Sequence, residues 1–174
     1  MICENLTNYK TILGMKKFIL CSLFILQSIG LLAQKEMPNV NLVNNANQTF
    51  NVKTDFKEKD KLYVFAFWAT WCVPCLNELD AINEHYTTWQ SELNMEVVAV
   101  SIDDSRTQKR VKPLLNGKKW TYSILLDTNQ DLKRALSIAN VPYTVVVKNQ
   151  KIVYIHNGYS QGGEIELYNK LKEL

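Results

Sequence analysis

"FAFWATWCVPCLNEL", Phe65–Leu79, places an apolar run, two tryptophans and a Cys-x-x-Cys pair side by side. The run begins upstream as "KLYVFAFWA", 61–69, and its unbroken apolar character predicts a strand buried on both faces. Downstream, Leu76, Leu79, Ile82, Tyr86, Trp89 and Leu93 recur at helical spacing, which predicts a helix from Val73 to about Leu93. Cys72 and Cys75 therefore stand where a strand hands over to a helix. A redox couple, a metal clamp and a structural disulfide are all open readings of such a pair.

The rest of the chain narrows the choice. Of 174 residues 47% are apolar and 21% charged, a globular composition sized for one domain. A net charge of +3 without a long basic run gives nucleic-acid binding little electrostatic support. Residues 1–34 differ in character from residues 35–174. Met15, Lys16 and Lys17 precede an apolar run from Phe18 to Ala33, the pattern of a secretory signal peptide over about 15–33. Cleavage is expected after Ala33, and the alternative is an uncleaved anchor that tethers the protein to a membrane. Acylation at Cys21 fits poorly because Leu20 stands where a small residue is wanted. Removing this presequence takes Cys3 and Cys21 with it and leaves 35–174 as a domain with a single cysteine pair. An exported protein lives where disulfides persist. A loop this short restrains the unfolded chain little, so the pair is better suited to chemistry than to stapling. Zinc needs four ligands, and His85 and His156 lack paired-ligand spacing, so no metal is expected.

"VNLV" and "TFNVKT" read as short strands around the turn-prone "NNANQ". "MEVVAVSID" is the next buried strand. "SRTQKRVKPLLNG" is a basic, partly helical stretch interrupted at Pro113. "TYSILLD" is a strand, and "NQDLKRALSI" a short helix capped from Asp127 to Asn129. "YTVVVKNQKIVYIHNG" is a hairpin turning at Asn149-Gln150, and "GGEIELYNKLKEL" a closing helix whose inner residues are Ile165, Leu167, Tyr168 and Leu171. The expected fold class is α/β, a central mixed sheet flanked by helices with a short N-terminal β extension.

A cysteine opening a helix has a mechanism. Unpaired N–H groups and the helix dipole favour an anion there, which stabilises a Cys72 thiolate. That thiolate attacks a substrate disulfide, and Cys75, one turn on, resolves the mixed disulfide. Pro74 suits the first helical turn, where its missing N–H is no loss.

The chain resembles the thioredoxin superfamily, and within it the exported TlpA/ResA-type thiol-disulfide oxidoreductases. The resemblance covers about residues 37–174 and rests on "FWATWCVPC" and on "NVPYTVVV", Asn140–Val147. It implies a thioredoxin-like fold, a cis Pro142 beside the cysteines, and backbone groups at Val141 for a substrate strand. The residues alone say only that the segment before a proline is extended. The resemblance also gives Glu78 a role as proton acceptor for Cys75. On a helical wheel Glu78 falls at the edge of the apolar stripe on the side of Cys75, a place that by itself favours an ordinary boundary glutamate. Asp80 falls on the solvent side of the same wheel. Ala66 stands where ordinary thioredoxins carry a buried Asp, and Asp80 where many relatives carry a proline.

The expectation is an enzyme, an exported thiol-disulfide oxidoreductase of the periplasm or cell envelope that reduces protein disulfides and holds no cofactor. Its expected partners are a disulfide-containing client and a membrane or periplasmic thiol donor, and the chain is expected to be a monomer. Trp71, Pro74, Val141 and Pro142 are the expected substrate-binding residues, and Cys72, Cys75 and Glu78 the catalytic ones. A disulfide oxidase or isomerase, or a non-enzymatic binding module of the same fold, are the competing readings. A peroxidase fits the Cys-x-x-Cys pair with its Pro74 poorly. Trp68 is expected to pack near the motif, Trp89 in the helix core, and Lys109, Arg110, Lys118 and Lys119 to lie on solvated faces.

Overall fold

A computed structural model describes residues 35–174. The expected presequence, its cleavage or anchoring, and Cys3 and Cys21 lie outside the described residues. Among the described residues no helix is long and apolar enough to cross a membrane.

The strand before the cysteines, β3 (Leu62–Trp68), is buried at every position. It can be so only at the middle of the sheet, between β4 (Met95–Ser101), parallel to it, and β6 (Tyr143–Lys148), antiparallel to it. The chain passes from β3 to β4 through α1 (Val73–Glu92), a parallel crossover that needs a helix. β4 leads through a 3-10 turn (Gln108–Arg110) and α2 (Val111–Asn116) to β5 (Ser123–Leu126), parallel to β4. α3 (Asp131–Ala135) starts the return past β4 and β3 to β6, which forms a hairpin with β7 (Lys151–Asn157). Asn149 and Gln150, both at positive φ, make the tight turn that matches strand twist. α4 (Gly163–Glu173) closes the chain. The N-terminal hairpin is β1 (Asn41–Asn44) and β2 (Thr49–Asn51). β1 also pairs with β5, so the sheet runs β2-β1-β5-β4-β3-β6-β7.

Polar side chains fix the turns and caps. The Asn44 carboxamide oxygen accepts the Ala46 and Gln48 N–H groups across the first turn. The Asp127 carboxylate accepts the Leu132 and Lys133 N–H groups and caps α3. Pro113 does not interrupt the helical stretch. It is the third residue of α2, where an N–H has no partner within the helix, so its absence costs no hydrogen bond.

α4 meets α1 through Trp89 stacked on Tyr168, ring centroids 5.3 Å apart. Leu167 and Leu171 are buried as expected, but Ile165 is 56% exposed and Tyr168 only partly covered. The helix is rotated so that Glu164, not Ile165, turns inward. Leu167→Ala should lower the unfolding free energy in urea by about 2–4 kcal/mol. Ile165→Lys should change it by less than about 0.5 kcal/mol.

Candidate active site

Cys72 is the N-cap residue of α1 and Cys75 lies in its first turn. They form a disulfide with an S–S distance of 2.01 Å and Cα atoms 5.3 Å apart. The Cys72 carbonyl accepts the Leu76 N–H at 3.1 Å, while no side chain caps the helix and its first turn carries no acid. The leading N–H groups and the dipole thus act on Cys72 Sγ without competition. Pro74 occupies the first turn. Cys75 is fully buried and Cys72 nearly so, whereas Trp71 (56%) and Val73 (65%) are exposed. These two form an apolar lip beside the disulfide.

The Val141–Pro142 bond is cis, at the entrance to β6. The Pro142 carbonyl accepts the Gly158 N–H at 2.9 Å, which ties the end of β7 to this segment. In register, Ala66 of β3 faces Thr144 of β6, so their side chains leave the same face of the sheet. The Thr144 hydroxyl donates to Glu78 Oε1 at 3.3 Å. Glu78 therefore reaches from α1 over the Ala66–Thr144 pair, and the small Ala66 leaves room there. It is buried to 3% exposure, well inside the stripe rather than at its edge, because β6 covers that side of the helix. Desolvation pushes its carboxyl up to about 7, opposed only by the Thr144 hydrogen bond.

A second buried acid, for which the sequence predicts no role, holds the loop that delivers the cysteines. Asp103 accepts the Thr70 N–H at 2.8 Å and the Thr70 hydroxyl at 2.6 Å, using both of its oxygens, and the Ser101 hydroxyl at 2.9 Å. Thr70 stands two residues before Cys72. An Asp closing an otherwise apolar strand, "VVAVSID", is the signal that could have found it. Asp80 and Lys118 also depart from expectation. Neither is simply solvated: the Lys118 ammonium pairs with Asp80, and the Trp120 indole donates to Asp80 at 2.8 Å. Trp120 in turn stands edge-on to Trp68, which is fully buried with its Nε1–H lacking a conventional acceptor among the described residues. Trp89 lies in the core, and His85, which is exposed, stacks on it. Among the described residues no group of three or more His, Cys, Asp or Glu side chains could hold a metal.

The chain is similar to known proteins in sequence and fold. A model of the AhpC/TSA family matches residues 33–155. The thiol-disulfide oxidoreductase ResA of Bacillus thuringiensis subsp. konkukian is 27% identical over 138 residues, 78% of this chain and 76% of that protein. The sporulation thiol-disulfide oxidoreductase A of Bacillus subtilis is 27% identical over 93 residues, 53% of this chain and 56% of that protein. The solution structure of a thioredoxin-like protein from Porphyromonas gingivalis superposes with a TM-score of 0.69 at 43% identity, covering 79% of this chain and 90% of its own. The expected thioredoxin-like fold is thus the observed one.

The raised Glu78 carboxyl has a consequence for stability. Between the ordinary glutamate value of 4.5 and about 7 the native state holds a proton that the unfolded state has lost, so stability falls as pH rises through that window. Glu78→Gln removes this slope. The difference in unfolding free energy between the variant and the parent should grow in the variant's favour by about 3 kcal/mol from pH 4 to pH 8, read by urea titration of the oxidised proteins. A flat difference would mean that Glu78 ionises normally. Asp103→Ala strands the Thr70 N–H and the Ser101 hydroxyl and should cost about 2–4 kcal/mol in the same assay.

Proposed function

The chain belongs to the AhpC/TSA family, with a thioredoxin-like fold, and from that premise we propose that it is a thiol-disulfide oxidoreductase that reduces disulfides in other proteins outside the cytoplasm. The observation that carries this reading is the buried Cys72–Cys75 disulfide at the uncapped N-terminus of α1, with a buried carboxyl on the same helix face. It is supported by the names of relatives in Bacillus.

In the dithiol form, Cys72 is the nucleophile. Its thiolate attacks one sulfur of the client disulfide, that S–S bond breaks, and the departing client thiolate takes up a proton. Client and Cys72 are then joined by a mixed disulfide. Cys75 passes its proton to the Glu78 carboxylate, which at a value near 7 both accepts and releases protons at neutral pH. The Cys75 thiolate attacks Cys72 Sγ, the second client thiolate leaves, and the protein keeps the disulfide. The client has gained the two electrons that the protein has lost. A thiol donor of the membrane or periplasm must return them, because the compartment is oxidising. Trp71, Pro74 and the Val141–Pro142 segment border the disulfide and supply the surface on which a client segment lies. No cofactor takes part.

Export is supported by the charge and apolar pattern of residues 15–33. Direction is the other half of the reading. Equilibrated against glutathione or dithiothreitol, the Cys72–Cys75 couple should lie more negative than the glutathione couple, below about −240 mV. A value near −120 mV would make the protein an oxidase. Cys75→Ser should accumulate a mixed disulfide with client protein on non-reducing gels, and Cys72→Ser should not.

A further inference from the structure

Beside the disulfide runs a groove of about 420 Å³ that disulfide exchange alone does not require. One wall is the outer face of α1, from Pro74 through Asn77 and Asp80 to Glu84. The other is the loop from Tyr159 into the first turn of α4 at Glu164. The groove adjoins the active site through Pro74, which stands between the two cysteines, and the Gly158 N–H just before the loop donates to the Pro142 carbonyl. A client residue that contacts Pro74 while its cysteine meets Cys72 would lie at the end of this groove.

The charge in it is one-sided. Asp80 is matched by Lys118 and by the Trp120 indole. Glu84 is exposed, and among the described residues no lysine, arginine or histidine pairs with it or with Glu164. Glu164 is the more telling of the two. It is only 9% exposed, and both of its hydrogen bonds, from the Tyr159 hydroxyl at 2.8 Å and the Gly162 N–H at 3.1 Å, fall on Oε2. Oε1 has no partner among the described residues, although the residue lines the groove. Burial, then the hydrogen bond to Glu164, pushes the Tyr159 phenol up to about 12, so Tyr159 remains a neutral donor at physiological pH. A carboxylate with one oxygen bound and the other without a partner can offer that second oxygen to a cationic side chain in a charge-assisted hydrogen bond. The apolar stem of a lysine or arginine would meanwhile lie along Pro74 and the Tyr159 ring.

We propose that this groove is a subsite for a basic side chain of the client, a lysine or arginine near the client's reacting cysteine, seated against Glu164 Oε1 with Glu84 at the mouth. The inference rests on the disulfide-exchange reading above and adds the class of client that it favours.

The test uses two disulfide-linked peptides identical but for one residue near the cysteine, lysine in one and glutamate in the other, together with an uncharged small disulfide. The dithiol form of the full chain should react about tenfold faster with the lysine peptide at about 0.05 M salt. That ratio should shrink toward one at about 1 M salt, where the Debye length is about 3 Å. It should also shrink in Glu164→Gln and in Glu84→Gln. The second variant keeps the test decisive if the first disturbs its loop, because Glu84 lies on the solvent side of α1. Equal rates for the two peptides in the parent protein overturn the subsite. So does a preference for lysine that both variants retain. If the protein exchanges with neither peptide nor with the small disulfide, the exchange reading itself fails and the subsite falls with it.

Discussion

Seven consecutive side chains of β3 are withheld from water, so the strand needs a partner on each edge and a layer on each face. β4 and β6 supply the edges, and α1 helps cover one face. Where this burial ends, at Ala69, the chain must turn out to the surface and start a helix within three residues. Cys72 takes the N-cap position of that helix because the turn is there. Its Sγ is set at the positive end of α1 by the same constraint that centres the strand. Asp103 holds the turn in place from the neighbouring strand end. The chemistry of the site therefore follows from an apolar run that stops abruptly.

Two buried acids serve this site in opposite ways. Asp103 is satisfied by three donors and acts as a clamp. Glu78 has a single long hydrogen bond and is pushed toward neutrality. A fully satisfied buried carboxylate rigidifies, whereas a poorly satisfied one remains ready to exchange a proton. Ala66 makes the second possible, since a larger side chain on that face of β3 would compete for the space under α1. A third acid, Glu164, lines the groove beside α1 with one oxygen bound and, among the described residues, the other without a partner.

Much of the fold is legible because it depends on patterns that a strand or helix carries in itself. The apolar run of β3, the spacing along α1, the Asn149-Gln150 turn and the Asp127 cap all declare themselves locally. The departures share one cause. Ile165 is exposed and Glu164 turned inward, against expectation, because the periodicity of a short helix fixes a stripe but not its rotation against α1. Pro113 does not break its helix because its place in the first turn depends on where α2 begins. The pairing of β1 with β5 joins segments about 80 residues apart, and neither announces the other.

By itself the sequence determined that two cysteines would stand at the head of a helix behind a buried strand, because hydrophobic period and turn chemistry are properties of contiguous residues. Only the tertiary structure decided how deeply Glu78 is buried, that Asp103 grips Thr70, that Asp80 is neutralised by Lys118, and that Glu164 keeps an oxygen in the groove without a partner among the described residues. Each of these is a desolvation or a hydrogen bond between elements distant in the chain. Its strength depends on which atoms exclude water from which others, and that is settled only when the layers pack.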